Sequence, residues 1–341
     1  MIFRIVRSLS RIRKRRRIIT PRLTRGPALL GCLLSATSAL AAIANTAGAA
    51  NTKMRMKISA DAVEFLTSDG ALAGRYNYTD AFKPYVHPLQ SPKGHSVSLV
   101  SPHDHQHHKG LMYALRIPEL NFWEERSTLP GEAVGRQRHL AFSEQRESGG
   151  EAGFTQTLSW EPAGGGEAVF EETRRISCRR DGAAFVWTWD TTLKSRRATR
   201  LVQSQWSHKK PDGGKINYHG LGLRLRREFG GGTRNNGLQL DDAPIRWNKG
   251  SARFDFTTAM GATPARATFI GSIDGIWPTP QVAVTLAQGQ RNALFVMEEP
   301  FAFFTLGPSN LAERPLAAGE TLREHYTVTV ADVDLKPRTA P

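Results

Sequence analysis

From about residue 51 onward, apolar positions recur at every second residue, in runs too short to be helices. In AFVWTWDTTL (184–193), Phe185, Trp187 and Trp189 alternate with smaller or polar neighbours, the pattern of a strand with one face in a core. FTQTLSW (154–160), GLGLRLRREF (220–229), RFDFTTA (253–259), QVAVTL (281–286) and HYTVTVAD (325–332) repeat the pattern. Turn chemistry separates them: Gly149-Gly150, the glycines at 164–166, Asp181-Gly182, the Asp-Gly-Gly at 212–214 and Asn236-Gly237. Roughly fifteen such runs, with no long helix-period stretch, predict an all-β chain whose antiparallel sheets pack as one large sandwich with few helices. No repeat of fixed period and no Pro- or Ser-rich linker interrupts it, so 51–335 is read as one domain and 336–341 as a loose tail.

The charge changes this picture only at the N-terminus. The formal net charge is +15, but residues 1–50 hold ten Lys or Arg and no Asp or Glu, leaving +5 for the rest. A basic stretch, an apolar run (27–44, PALLGCLLSATSALAAIA) and the small residues Ala47-Gly48-Ala49 have the layout of a cleaved export signal, predicting a periplasmic or secreted protein. Arg15-Arg16-Arg17 adds the option of twin-arginine export. Leu29-Leu30-Gly31-Cys32 has the letters of a lipoprotein box, but its apolar run follows the cysteine, so lipidation is not expected. Membrane contact is expected only through this leader. Past it only Cys178 remains, so no internal disulfide forms, and its strand-like setting reads as buried filler. Arginine-rich runs at 174–180, 194–197 and 224–228 lie in strand context, where such side chains cover a solvated face; nucleic acid is not an expected partner.

Chemistry concentrates in SPHDHQHHKG (101–110), which holds four of the ten histidines. On an extended segment His103, His105 and His107 project to one side, with Asp104 and His108 on the other. That trio is a partial ligand set for a divalent metal, the alternative to a metal-free site of proton-transferring histidines. The cupin pattern fails for want of a following glutamate, and the H-x-H-x-D-H pattern of metallo-β-lactamases fails because His107 stands where its aspartate belongs. Tyr85, His87, Lys109, Trp123, Glu124, His219 and Arg224 add flat apolar faces and hydrogen-bonding groups, the combination that binds sugars. Glu298 and Glu299 close the run NALFVM, where a carboxylate could face a histidine across a sandwich as an acid and base pair. No GxSxG, Walker or Rossmann fingerprint occurs.

Several segments in order resemble the bacterial PmoA-like family, a domain of unknown function labelled "methane oxygenase PmoA". They are KPYVHPLQSPKG (83–94), DHQHHKGLMYAL (104–115), NFWEE (121–125), HGLGLRL (219–225) and PLAAGETLREHYTVTVAD (315–332). A membrane methane monooxygenase needs several transmembrane helices, and the exported chain supplies none. The resemblance implies a galactose-mutarotase-like β-supersandwich, in whose epimerases a histidine is the acid and a late glutamate the base. Carried over, His107 or His108 takes the acid role and Glu298 or Glu299 the base role. The epimerases' Asn-His pair is absent, Gln106 and His107 preceding His108. The expected function is that of an exported carbohydrate-active protein, an epimerase, lyase or hydrolase working by proton transfer on a small or oligomeric sugar. A non-catalytic envelope sugar-binding module and a metal-dependent enzyme are the alternatives.

Overall fold

The computed structural model describes residues 53–209, 214–230, 237–240, 243–245, 253–255, 266–289, 292–298 and 300–334. The predicted leader, the predicted tail, Glu299 and residues 256–259 of the RFDFTTA run lie outside them. Among the described residues the elements are strands, apart from one 3-10 turn, Arg227–Phe229.

Two large sheets dominate. The nine-stranded one runs in spatial order Met54–Ile58, Ala62–Thr67, Leu72–Asn77, Tyr85–Leu89, Leu111–Ala114, Gly220–Arg224, Phe303–Gly307, Ala293–Met297 and Arg253–Asp255. The eleven-stranded one is centred on the long neighbours Thr321–Val333, Ala184–Ser195, Phe170–Asp181, Glu151–Pro162 and Ala133–Ser148. Pairing is antiparallel throughout except where Leu120–Asn121 runs parallel to the start of Ala133–Ser148. The all-β sandwich expected from the period-two pattern is the observed fold.

The predicted runs become strands because their alternation matches the pleat. In Ala184–Ser195 buried residues alternate with half-exposed ones, and Phe185, Trp187 and Trp189 enter the core between the sheets. Cys178, opposite Trp187 on the neighbouring strand, is buried and in no disulfide, as expected of filler. Each of the 184–193, 281–286 and 325–332 runs extends by a few residues in the fold, because main-chain pairing continues past the apolar pattern. By contrast Arg227 to Phe229 leave the strand that 220–229 predicted and curl into the 3-10 turn.

Strands at the centre of the nine-stranded sheet are buried on both faces. Leu111 and Tyr113 join the core between the sheets, while Met112 and Ala114 join a second apolar cluster on the opposite face. Leu294 and Val296 divide from Phe295 and Met297 in the same way, and Phe304 and Leu306 from Phe303. Trp123, Ile216 and Phe301 complete this second cluster, with Tyr85 and Tyr218 packed against it. A sheet needs a covering on its outer face only where something lies over it. Here His108 of the histidine segment stacks on Phe303 (4.8 Å) and His208 on Phe295 (5.2 Å).

Candidate functional site

The histidine segment is not extended. His105 N–H donates to Pro102 O (3.0 Å), His108 N–H to His105 O (2.9 Å) and Ser101 N–H to His108 O (2.7 Å), so two successive turns replace the expected strand. Ser101 accordingly has φ 45°. Gly110 closes the segment at φ 66°, where a Cβ would stand 2.5 Å from Val86 O, so only glycine fits. The expected faces therefore rearrange. His105, His107 and His108 converge, with ring centroids 4.6 to 5.7 Å apart. His103 stands apart from these three rings, exposed at the cavity border, its Nδ1 accepting from Arg227 Nη2 at 3.3 Å. The His103, His105 and His107 metal set is thus not assembled, and among the described residues no three His, Cys, Asp or Glu have metal-holding geometry.

Arg224 fixes this arrangement from beneath. Fully buried on the strand Gly220–Arg224, it donates to Asp104 Oδ2 (2.9 Å) and to His108 Nδ1 (3.2 Å), and lies 3.6 Å from the centroid of the Phe301 ring. A guanidinium only donates, so His108 Nδ1 accepts and its proton sits on Nε2. Partial burial pushes the Asp104 carboxyl up, but the bond and charge of Arg224 outweigh it and bring Asp104 to about 2.

These side chains border one cavity of about 1590 Å³. His103, Asp104, His105, His107, His108 and Glu124 of the expected site line it, facing Trp206, His208, Tyr218, Phe295 and Phe301. Burial is the main force on the imidazoles. Desolvation, then the nearby Lys83 cation, lowers His107 to about 2; it also lowers His105, and His108 well below the usual range. Glu124 moves the other way, raised by burial against the pull of Arg116. Its Oε1 accepts weakly from Ser204 Oγ (3.4 Å) and Tyr218 OH (3.5 Å), while its buried Oε2 has no hydrogen-bond partner.

The remaining expected residues play supporting parts. Trp123 is fully buried edge-on to His108 and lies tilted at 5.2 Å from His219, which is itself fully buried and lowered to about 3, first by desolvation. Both belong to the floor rather than to the lining. Tyr85 packs at the margin of the second apolar cluster, with Lys109 Nζ 6.0 Å from its ring centroid. His87 Nδ1 bonds to Ser98 Oγ (2.9 Å) away from the cavity. Glu298 follows the strand Ala293–Met297 with the parity of Leu294 and Val296, which face the core between the sheets, and it is buried outside the cavity lining. Glu124, not Glu298, is the glutamate that borders the cavity together with His105, His107 and His108.

Several participants carry no local signal in the sequence. Lys83 is fully buried, bonded to Trp123 O (2.6 Å) and paired with Glu125 Oε1 (2.9 Å), while Lys109 pairs with Glu125 Oε2 (3.6 Å). Glu125 is held between them at φ 56°, a left-handed conformation that costs a non-glycine residue on the order of 1 kcal/mol. Its neighbour Glu124 is placed by Asn121, whose Oδ1 accepts the N–H groups of Trp123 (3.0 Å) and Glu124 (2.9 Å). Tyr218 and Trp206 come from segments about a hundred residues away.

No curated protein matches the chain. Among solved structures, it is similar to a galactose mutarotase related enzyme from Lactobacillus acidophilus, at 10% identity and TM-score 0.36 over 83% of this chain and 100% of that one. It is also similar to a galactose mutarotase-like protein from Clostridium acetobutylicum, at 9% identity and TM-score 0.33 over 83% of this chain and 99% of that one. The matching family does not carry the PmoA designation expected from the sequence: over residues 64–341 the chain belongs to a family of unknown function, DUF6807.

Proposed function

We propose that this protein is an exported carbohydrate-active enzyme that transfers protons on a sugar held in the histidine-lined cavity. One observation carries the reading: imidazoles kept neutral by burial share a cavity with a carboxyl that burial drives toward its protonated form. A neutral imidazole carries the free lone pair a base needs and a protonated carboxyl the proton an acid gives, so His107, with His105 beside it, takes the base role and Glu124 the acid role; burial disfavours charge on His107, so the base role requires negative charge developing on the substrate to offset it. This reverses the roles carried over from the family resemblance. Tyr218 and Ser204 orient the carboxyl. The exposed indole of Trp206 offers a flat face for the C–H side of a sugar ring, and the polar groups opposite suit its hydroxyls. The exported location rests on the leader composition.

The test is turnover of a panel of mono- and oligosaccharides, followed by mass spectrometry and by NMR for epimerisation. His107→Ala is expected to lower the rate on a responsive sugar by about a hundredfold or more, the scale of a lost general base. Undiminished turnover in that variant would remove the base role. Binding with no product from any sugar would replace the enzyme by a sugar-binding module.

A further inference from the structure

The charges around the cavity are unevenly matched. Asp104 already holds two cations, Arg224 at 2.9 Å and Arg227 at 3.5 Å. Glu125 holds Lys83 at 2.9 Å and shares Lys109, at 3.6 Å, with Asp80 at 3.5 Å. The third lining carboxyl, Glu124, is pushed by burial toward neutrality. Two cations that border the same cavity, Arg126 and Lys209, are exposed, and neither makes an ion pair with any described residue. Arg126 also adds to the positive field felt by His105 and His107. The cavity therefore presents an excess of positive charge, with an uncommitted guanidinium beside the imidazoles.

The loop that carries Arg126 is tied to the turn that carries Trp206, and both residues border the cavity. Gln205, next to Trp206, accepts from Arg116 Nη1 at 2.7 Å and donates to Thr128 O at 3.2 Å, tying the 204–207 turn to the loop that carries Arg126. Trp206 N–H donates to Ser204 Oγ at 3.2 Å, fixing the turn. An arginine fork is the natural partner of a planar, two-oxygen anion, and a neutral sugar would leave it with water.

Resting on the carbohydrate reading above, the geometry points to an anionic sugar as the ligand, its carboxylate or sulfate ester seated on Arg126 while the ring lies against Trp206. The assignment predicts discrimination by charge among sugars of the same stereochemistry, and weaker discrimination in high salt.

Calorimetric titration of the full chain with galactose, galacturonate and galactose 6-sulfate, and with the matching glucose series, tests it. One of the anionic sugars is expected to bind about tenfold or more tightly than its neutral parent, with Arg126→Gln erasing the difference and leaving the parent's affinity unchanged. Which anion wins separates a uronate from a sulfated ligand. Arg126→Lys should restore part of the preference, since it keeps the charge and loses the fork. If neutral parents bind as tightly as the anions, or Arg126→Gln leaves the preference intact, this inference falls and the carbohydrate reading stands. If no sugar of either charge binds, both fall together.

Discussion

Two buried polar regions lie on opposite faces of the nine-stranded sheet, and they are finished differently. Between the sheets, Glu172 and Arg174 form a fully buried pair (2.7 Å) inside a closed set of bonds. Trp160 Nε1 and Thr191 Oγ1 donate to Glu172, Arg174 donates to Tyr76 and Gln137, and Tyr76 donates in turn to Gln156. On the other face, Glu124 Oε2 and Trp123 Nε1 are buried without a protein hydrogen-bond partner. A buried polar group left unbonded costs on the order of 1–3 kcal/mol, so a fold retains such groups where something other than stability selects them. The closed network links strands of the eleven-stranded sheet to Tyr76 of the other; on the outer face Glu124 borders the cavity, while Trp123 and His219 lie beneath it.

The comparison breaks most visibly at Arg174. Arg174→Met strands the Glu172 charge in the core and should cost about 3–5 kcal/mol in urea unfolding, while Glu172→Leu combined with it should recover much of the loss. A loss under about 1 kcal/mol for the single variant would show that the closed network does not hold the sheets. Glu124→Gln tests the other side. Its stability should change little, because burial already disfavours the charged form, yet turnover should fall by about a hundredfold through loss of the acid. A variant that unfolds readily and keeps its rate would place Glu124 with the structural network instead.

Acid gives the gentlest test, and its sign follows from the imidazoles. His107, His108 and His219 are lowered in the fold and titrate near 6.5 when unfolded, so below that pH the unfolded chain takes up protons that the folded chain refuses. Stability should therefore fall as pH drops from about 6.5, by at most about 1.4 kcal/mol per pH unit for each group, continuing to about 3 for His219 and about 2 for His107. His87, His105 and His139 are lowered too and add in the same direction. The raised carboxyls of Glu124 and Glu324 oppose it, since they bind protons in the fold first. Thermal melts at pH 7 and pH 5 read the balance. A melting temperature that holds or rises on acidification would mean that the buried imidazoles are not kept neutral.

How much of this could be read from the chain depends on where each signal resides. Strand Ala184–Ser195 was legible because its own alternation matches its burial. Strand Ala133–Ser148 was not, since most of it is exposed and its regularity comes from pairing with Glu151–Pro162. The density of histidines located the site, but their orientation depends on Arg224, which bonds Asp104 from 120 residues further along. Period two fails there because a distant guanidinium decides which way the segment turns. Glu298 stands just past a strand end, and it is buried without bordering the cavity. Lys83, Tyr218 and Trp206 enter the site through tertiary contact alone.

Cys178 gives the sandwich a built-in clock. From residue 51 onward it is the only sulfhydryl, and it lies buried against the strand of Trp187 with its ionisation pushed well above the usual thiol range. A labelling reagent can reach it only when the layers part, so its rate of modification measures how often they open. From residue 51 onward no internal bridge can form, so none of the stability of that stretch comes from a disulfide.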